Sequence, residues 1–372
     1  MKRWVAVFIV ICSTLFVSAC GDQIYLEQAD IILALGIDLN EKNQITFYAV
    51  TPTFDEELNE QEHDYQVTAH SLEEATLLFD ALSQGKIAKG KIETILIGKK
   101  FLKTRQVIPC LDAILRDPKN DLNSKVVMVD GAVKDVFRLK SKRGSLAVTL
   151  YNMMENTNDI GLASPTLQQF SAISSDKRVT ATLPMLKIED QQIKITGQAL
   201  LDKNGKYRSA LNLKESALLI CLYRYFTDQI PVTLSLSNTE NDPTKRNAAR
   251  KVSIRISNIN RKFHTTYKQN RFHFNVRLTI YASLIERTFP YDVYNASPQL
   301  NKEMEQQFNR DLKKLTQKLQ KLGVDPTGFG IYAKMKQYDA WKNIENKWTN
   351  SFSNAAIDIH TKVVIRNIGN YH

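Results

Sequence analysis

The first twenty residues restrict what the rest of the chain can become. Met1-Lys2-Arg3 is a basic start, Trp4 to Phe16 is an uncharged, mostly apolar run of 13 residues, and Val17-Ser18-Ala19 sets small residues before Cys20. A positive start, an apolar stretch of about 7–15 residues and small residues at the cut make an export signal. Thirteen residues fall short of the roughly 20 that cross a bilayer as a helix. After the signal, no uncharged apolar run approaches that length. The expectation is a water-facing body that begins at Cys20 and stands on its own packed cores.

A cysteine directly behind the small residues changes the meaning of the signal. It resembles the bacterial lipobox, in which that thiol receives a diacylglycerol, the signal is cut before it, and the new amino terminus is often acylated too. Cys20 is therefore the expected lipidation site, with an uncleaved anchor as the other reading. Each buried CH₂ contributes about 0.8 kcal/mol, so two or three chains hold firmly where one would exchange.

Without residues 1–19, 353 of the 372 residues remain, enough for two or three domains at about 100–200 residues each. A hydrophobic content of 43% and a charged content of 24% suit a folded, soluble body. Cys12 leaves with the signal and Cys20 is modified, so Cys110 and Cys221 remain; both sit in apolar surroundings and read as buried free thiols ahead of a disulfide. The net charge of +11 falls to +9 without Lys2 and Arg3. No aromatic-basic motif points that charge at nucleic acid. Anionic lipid headgroups are the better partner for it, beside a plain solvated surface.

Along the mature chain, residues 29–39 and 44–51 read as strands joined by the hairpin signal Asn40-Glu41-Lys42-Asn43, and residues 65–69 as a third. Ser71 and Glu74 cap a helix with the apolar face Leu72, Ala75, Leu78, Phe79 and Leu82. Residues 92–97 form a strand, 104–115 a helix and 125–129 a strand. Short helices follow over 132–140, 146–155 and from Ser164-Pro165, and then strands from Val179 to Leu201. The character shifts near residue 190. An apolar helix over 213–226 precedes strands at 232–237, 251–258 and 271–286. The longest helix, 299–322, carries Leu300, Met304, Phe308, Leu312, Leu315 and Leu319 on one stripe suited to the domain's own sheet. A basic helix over 331–348 and a strand over 356–365 close the chain.

The expected fold class is α+β and multi-lobed, with mostly antiparallel or mixed sheets, packed helices and a long helix near the C-terminus. Residues 1–19 are the signal peptide. Residues 20–190 form an N-terminal α/β lobe, with a further division conceivable near 140, and residues 191–372 a C-terminal domain of sheet plus long helix.

The usual signatures of catalysis do not occur. The run from Gly85 to Lys91 nearly spells a phosphate-binding loop, but Ile92 stands where a Ser or Thr would hold magnesium, and a strand follows where a helix must start. No Gly-x-Ser-x-Gly elbow is present. His63, His70, His264, His273, His360 and His372 show no metal-ligand spacing, and His264 and His273 read as surface residues on strands. Glu56-Glu57 and Glu73-Glu74 are accounted for by solvation and capping. The expectation is no enzyme, no metal site and no cofactor.

Four stretches carry a likeness to a known family. An acidic segment and the strand Ile31-Ile32-Leu33-Ala34-Leu35-Gly36-Ile37-Asp38 follow Cys20. Leu111-Asp112-Ala113-Ile114-Leu115-Arg116-Asp117-Pro118 ends a helix ahead of a strand and Gly131-Ala132-Val133-Lys134-Asp135. Asp325-Pro326-Thr327-Gly328-Phe329-Gly330 is the third. Trp341, Trp348 and Phe352 before a strand ending Ile365-Arg366-Asn367-Ile368-Gly369 are the fourth. Together they resemble the Ger(x)C family, the lipoprotein C subunit of nutrient germinant receptors in endospore-forming bacteria. Gly21-Asp22-Gln23-Ile24-Tyr25 departs from the Trp-Asp-Arg-Arg-Glu often found there.

The resemblance implies a non-enzymatic receptor subunit, lipid-anchored to the outer face of the inner spore membrane. It would work with integral membrane A and B subunits in nutrient-triggered germination, without nucleic acid. The alternative is the solute-binding lipoprotein of a membrane importer, and a cell-wall hydrolase is a third class. Physically, Gly328 and Gly330 allow a tight turn around Phe329, Asp325 can cap it, and Trp341 and Trp348, seven apart, share a helical face.

Overall fold

The computed structural model describes residues 29–53, 62–83, 85–139, 144–223, 229–236, 250–290 and 297–367, together with Trp4. Cys20 lies outside the described residues, as do the expected acidic pair Glu56-Glu57 and the last residues of the closing segment.

In the first part of the chain lie β1 (Ala29–Ile31), β2 (Ala34–Leu39), β3 (Ile45–Pro52), β4 (Glu62–Thr68), β5 (Lys86–Ala88), β6 (Thr94–Gly98), β7 (Lys125–Val129), β8 (Thr182–Glu189), β9 (Gln192–Leu201) and β10 (Tyr207–Asn212). β1 and β5 pair in parallel as a small ribbon, and the others form one eight-stranded sheet in the order β10-β9-β8-β7-β6-β2-β3-β4. Its central strands β8, β7, β6 and β2 run parallel, and the flanking pairs run antiparallel. The sheet is mixed, as expected, and it continues past residue 190 through β9 and β10. Both faces are covered. Leu35, Ile37, Phe47, Ile95, Val126 and Met128 pack under the helices Leu72–Leu82, Lys99–Thr104, Asp112–Arg116 and Leu167–Ser174. Ala34, Tyr48, Leu96, Val127 and Val129 pack under Val133–Arg138 and Leu146–Glu155 on the other side.

Local chemistry sets several of these elements. The expected Asn40–Asn43 turn joins β2 to β3, with Leu39 opposite Ile45 and Asn43 at a left-handed φ of 58°. Ser71 Oγ accepts from the Glu74 amide at 3.1 Å, while Glu74 Oε2 reaches back one residue further than expected, to the His70 amide at 2.8 Å. The apolar run 29–39 is not one strand: the Ile32 amide turns to the Ala88 carbonyl and the Leu33 amide to Val50, so β1 and β2 enter different sheets. The expected helix over 104–115 is also broken. A helix ends at Thr104, a 3-10 turn with Pro109 near its start spans Ile108–Leu111, and a second helix runs over Asp112–Arg116. Pro109 has no amide to continue a helical ladder.

The second part holds a four-stranded sheet, β11 (Ile230–Ser235), β12 (Lys251–Lys268), β13 (Arg271–Arg287) and β14 (Ala356–Asn367), in that order. β12 runs ten residues beyond its expected end. A bulge between Ile256 and Asn258 shifts the register, and the buried positions change from Val252, Ile254 and Ile256 to Ile259 and Thr265. One inserted residue reverses which parity faces the core. Gln269 and Asn270, at φ 52° and 58°, turn the chain into β13. β14 returns parallel to β13, and the helix Ser297–Leu322 is the crossover. Leu300, Met304, Phe308, Leu312, Leu315 and Leu319 bury against this sheet, as the stripe implies.

The helix Leu213–Leu222 opens with a reciprocal cap between Asn212 and Glu215, and Glu215 also meets Lys318 of the long helix at 2.9 Å. Arg261 Nε closes its other end on the Cys221 carbonyl at 2.8 Å. Cys110 and Cys221 are free thiols; Cys221 is buried as expected, but Cys110 is only half-buried at the edge of the broken helix.

Burial pushes the Cys221 thiol up to about 12, whereas an unfolded thiol ionises near 8.5. The folded state keeps a proton that the unfolded state loses between those values, so the contribution of this thiol's ionisation is absent below about 8.5 and increasingly unfavourable above it. The stability advantage of the wild type over Cys221→Ala should shrink by about 1.4 kcal/mol per pH unit in that window. Denaturant midpoints of both chains on an alkaline series measure this. A constant difference would rule out the burial assigned to the thiol.

Candidate functional site

The motif strand β2 carries a carboxylate into the core. Asp38 Oδ1 accepts from the Leu39 amide at 2.8 Å, and Oδ2 from the Val133 amide at 2.9 Å. Val133 opens the helix Val133–Arg138, whose own preceding residue, Ala132, offers no side-chain cap. Asp38 thus supplies that helix's N-terminal acceptor from another element. Two glycines make room. A Cβ at Gly36 would stand 2.6 Å from Val133 Cγ1 and 2.9 Å from Phe137, and one at Gly98 would stand 2.1 Å from Asp38 Oδ1. Desolvation raises the Asp38 pKa above the ordinary value, opposed by the two amides. The Gly-Ile-Asp strand and the Gly131–Asp135 segment, nearly a hundred residues apart in sequence, are therefore one construction.

A second carboxylate organises the other half. Asp325 is fully buried. Its Oδ1 accepts from Thr327 Oγ1 at 3.0 Å and from the amides of Gly328 at 2.9 Å and Phe329 at 3.1 Å; its Oδ2 accepts from the Gly330 amide at 2.9 Å and Trp348 Nε1 at 3.0 Å. The expected cap on the turn is present, and the indole adds a fifth donor from a different helix. Gly328 has φ 80°, a left-handed conformation that opens the helix Phe329–Lys336 and favours glycine. Burial raises the Asp325 pKa even against these donors.

Around this node Phe329 packs edge-on to Phe263 and Phe274, and Trp348 against Phe272. Trp341 and Trp348 are both buried, with ring centroids 5.3 Å apart. They do not share one helix, however. Phe329–Lys336, Tyr338–Lys342 and Trp348–Ser353 are separate short helices, and the indoles meet because the chain folds back between them.

The Asp325 node also meets the first sheet's connecting segment. The Thr180 amide donates to the Asp325 carbonyl at 2.9 Å, and a Cβ on Gly330 would stand 2.4 Å from the Arg178 carbonyl oxygen. Above it opens a cleft of about 230 Å³, lined by Ser174–Lys177, Thr180, Lys203, Asn204, Glu345, Asn346 and Thr349. Asp176 on its rim is held below the ordinary carboxylate range; burial works against this, and a two-pronged pair with Arg178, at 2.7 and 2.8 Å, outweighs it.

Both buried carboxylates accept from the chain's own amides. Asp325 accepts five hydrogen bonds, more than a carboxylate's roughly four lone-pair sites. Among the described residues no three His, Cys, Asp or Glu side chains group as metal ligands. His264 is exposed and His273 half-exposed on their strands. Lys86–Ala88 is a strand, and a second strand, β6, follows the glycine-lysine run. No helix among the described residues is long and apolar enough to cross a membrane. Sequence reasoning named Asp325 and Trp348 separately but missed their hydrogen bond, and it missed the meeting of Asp38 with Val133.

Comparison with known proteins accords with this construction along nearly the whole chain. Residues 22–188 match the spore germination protein N-terminal domain, and residues 196–369 match the spore germination B3/GerAC-like C-terminal domain. Spore germination protein A3 of Bacillus subtilis (strain 168) is 23% identical over 371 residues, covering 96% of this chain and 95% of that protein. The crystal structure of the GerBC protein superposes with a TM-score of 0.60 at 16% identity, over 90% of this chain and 97% of that one. With both family domains present in order and the fold shared over 90% of the chain, the chain belongs to the Ger(x)C family of spore germination proteins.

Proposed function

We propose that this chain is the C subunit of a nutrient-germinant receptor. It is a non-enzymatic body, diacylated at Cys20, tied to the outer face of the inner spore membrane and acting with integral membrane A and B subunits. The observation that carries this reading is the pair of family matches spanning residues 22–188 and 196–369, directly behind a segment, residues 1–19, with the layout of an export signal and then Cys20. The buried carboxylates support a scaffold rather than a catalyst, since both bind the chain's own amides.

Deleting the gene in its host should abolish germination with one set of nutrients and leave vegetative growth intact. Normal germination with every nutrient, in a strain lacking other receptors, would overturn the role. Capture from dormant-spore membranes should retain two integral membrane proteins. The mass of the mature amino terminus tests the anchor separately: a diacylglyceryl cysteine is expected, and an intact leader would refute it. An importer's binding protein would instead show a clear rise in thermal midpoint with an amino acid, sugar or nucleoside.

A further inference from the structure

The helix Leu72–Leu82 is apolar on two sides. Leu72, Ala75, Thr76 and Phe79 face the core. Leu77, Leu78 and Leu82, which the sequence in part assigns to the core, are 66%, 38% and 61% exposed. With exposed Ala81 they share one stripe turned away from the sheet, since successive residues advance by about 100°. A surface helix of a water-facing body ordinarily carries polar residues there.

The position of this stripe gives it a meaning. Ala29 opens β1 and lies opposite Lys86 of β5, just beyond the helix. Asp30 accepts from Tyr65 Oη at 3.0 Å and from Ser83 Oγ, the residue that caps the helix C-terminus. Tyr65 in turn lies against Phe79 of the same helix, ring centroids 6.0 Å apart. The helix is thereby fastened to the residues where the chain arrives from Cys20. Nine links from Cys20 to Ala29 span at most about 32 Å fully extended, and the helix is about 16 Å long. A lipid on Cys20 keeps the stripe within reach of the headgroups, and exposed Lys86 stands beside the point of entry.

We propose that the leucine stripe of this helix rests in the headgroup region of the membrane that holds Cys20, with Lys86 against anionic headgroups. The body is then held in one orientation instead of swinging on its tether. This rests on the lipid-anchor reading above. Leucines at an interfacial depth fit a helix lying on a bilayer; the helix itself is acidic, but Glu73 is paired with Lys89 at 2.7 Å and Glu74 turns back to the His70 amide at 2.8 Å, both at the end away from Lys86. A groove on a membrane protein could also take leucines, but the direct fastening of this helix to the tether's entry favours the lipid.

The test uses the full lipidated chain with Cys110→Ser, reconstituted in phosphatidylglycerol–phosphatidylcholine vesicles containing headgroup-proximal spin-labelled lipid. A fluorophore is placed at Leu78→Cys or, as control, at Lys262→Cys on β12, while Cys221 stays buried. Quenching at Leu78 should exceed that at Lys262 by about two-fold or more. Adding Leu77→Ser and Leu82→Ser should return it to the control value without changing the thermal midpoint. Equal quenching at both positions, with Cys20 shown by mass to be diacylated, overturns the docking and leaves the anchor standing. Quenching at Leu78 with an unmodified Cys20 refutes the anchor and keeps the docking. Quenching in lipid vesicles that disappears in spore membranes containing the partner subunits makes the stripe a protein contact and overturns the proposal.

Discussion

Asp325→Ala is expected to leave the second half of this protein without a cooperative fold. The substitution removes the acceptor for the amides of Gly328, Phe329 and Gly330, the Thr327 hydroxyl and the Trp348 indole, all in a dry core. A buried donor left without a partner costs about 1–3 kcal/mol. Five such donors reach the order of a whole domain's stability, about 5–15 kcal/mol. Asp325→Asn should fall between. Its oxygen can still serve Thr327, Gly328 and Phe329, but its NH₂ would face the Gly330 amide and the Trp348 N–H, a loss of about 3 kcal/mol. A chain begun at residue 21 carries only Trp341 and Trp348, so tryptophan emission during urea unfolding reports on this node directly. An Asp325→Ala midpoint equal to the wild type would refute the assignment.

Gly98→Ala should be the next most damaging substitution, in the first half of the chain and through crowding. A methyl group on Gly98 would stand 2.1 Å from Asp38 Oδ1 and 2.3 Å from its Cγ. Asp38 cannot yield without releasing the Leu39 and Val133 amides, and β2 and β6 cannot part without breaking the pairing of Gly36 with Leu96 and Ile37 with Ile97. Overpacking of this kind costs about 1–3 kcal/mol, and the upper end applies where neither neighbour can move. Asp38→Ala also destabilises, because the Val133 amide loses its cap. The double variant Asp38→Ala/Gly98→Ala should nonetheless be more stable than the sum of the two by about 1.5 kcal/mol or more, because the clash is gone. Additive losses in the four-member cycle would show that the carboxylate does not hold Gly98 free of a side chain.

How far the chain was legible varied with the range of the interaction. Asn40–Asn43 as a hairpin, Ser71 as a cap and the long helix's stripe depend on neighbours within a turn or two, and the structure has all three. Asp325 as the cap of its own turn was readable for the same reason. The end of β12 was misplaced because the Ile256–Asn258 bulge reverses the alternation, and a period of two cannot be followed through a change of phase. Leu78 and Leu82 were assigned to the core because helical spacing says which residues share a face, not what covers it. The indoles of Trp341 and Trp348 meet, but not by the helical spacing that suggested it.

From residue order alone came the α+β class, most of the sequence of elements and the family likeness. These follow from local periodicity, capping and short motifs, whose physics acts within a few residues. Only the folded chain decided that Asp38 caps a helix that begins at Val133, that Trp348 completes the shell of Asp325, and that an exposed leucine stripe lies beside the strand Ala29–Ile31. Each depends on two segments far apart in sequence being driven together by burial of their apolar faces. A carboxylate's partner in a core is set by that packing, and no spacing along the chain encodes it.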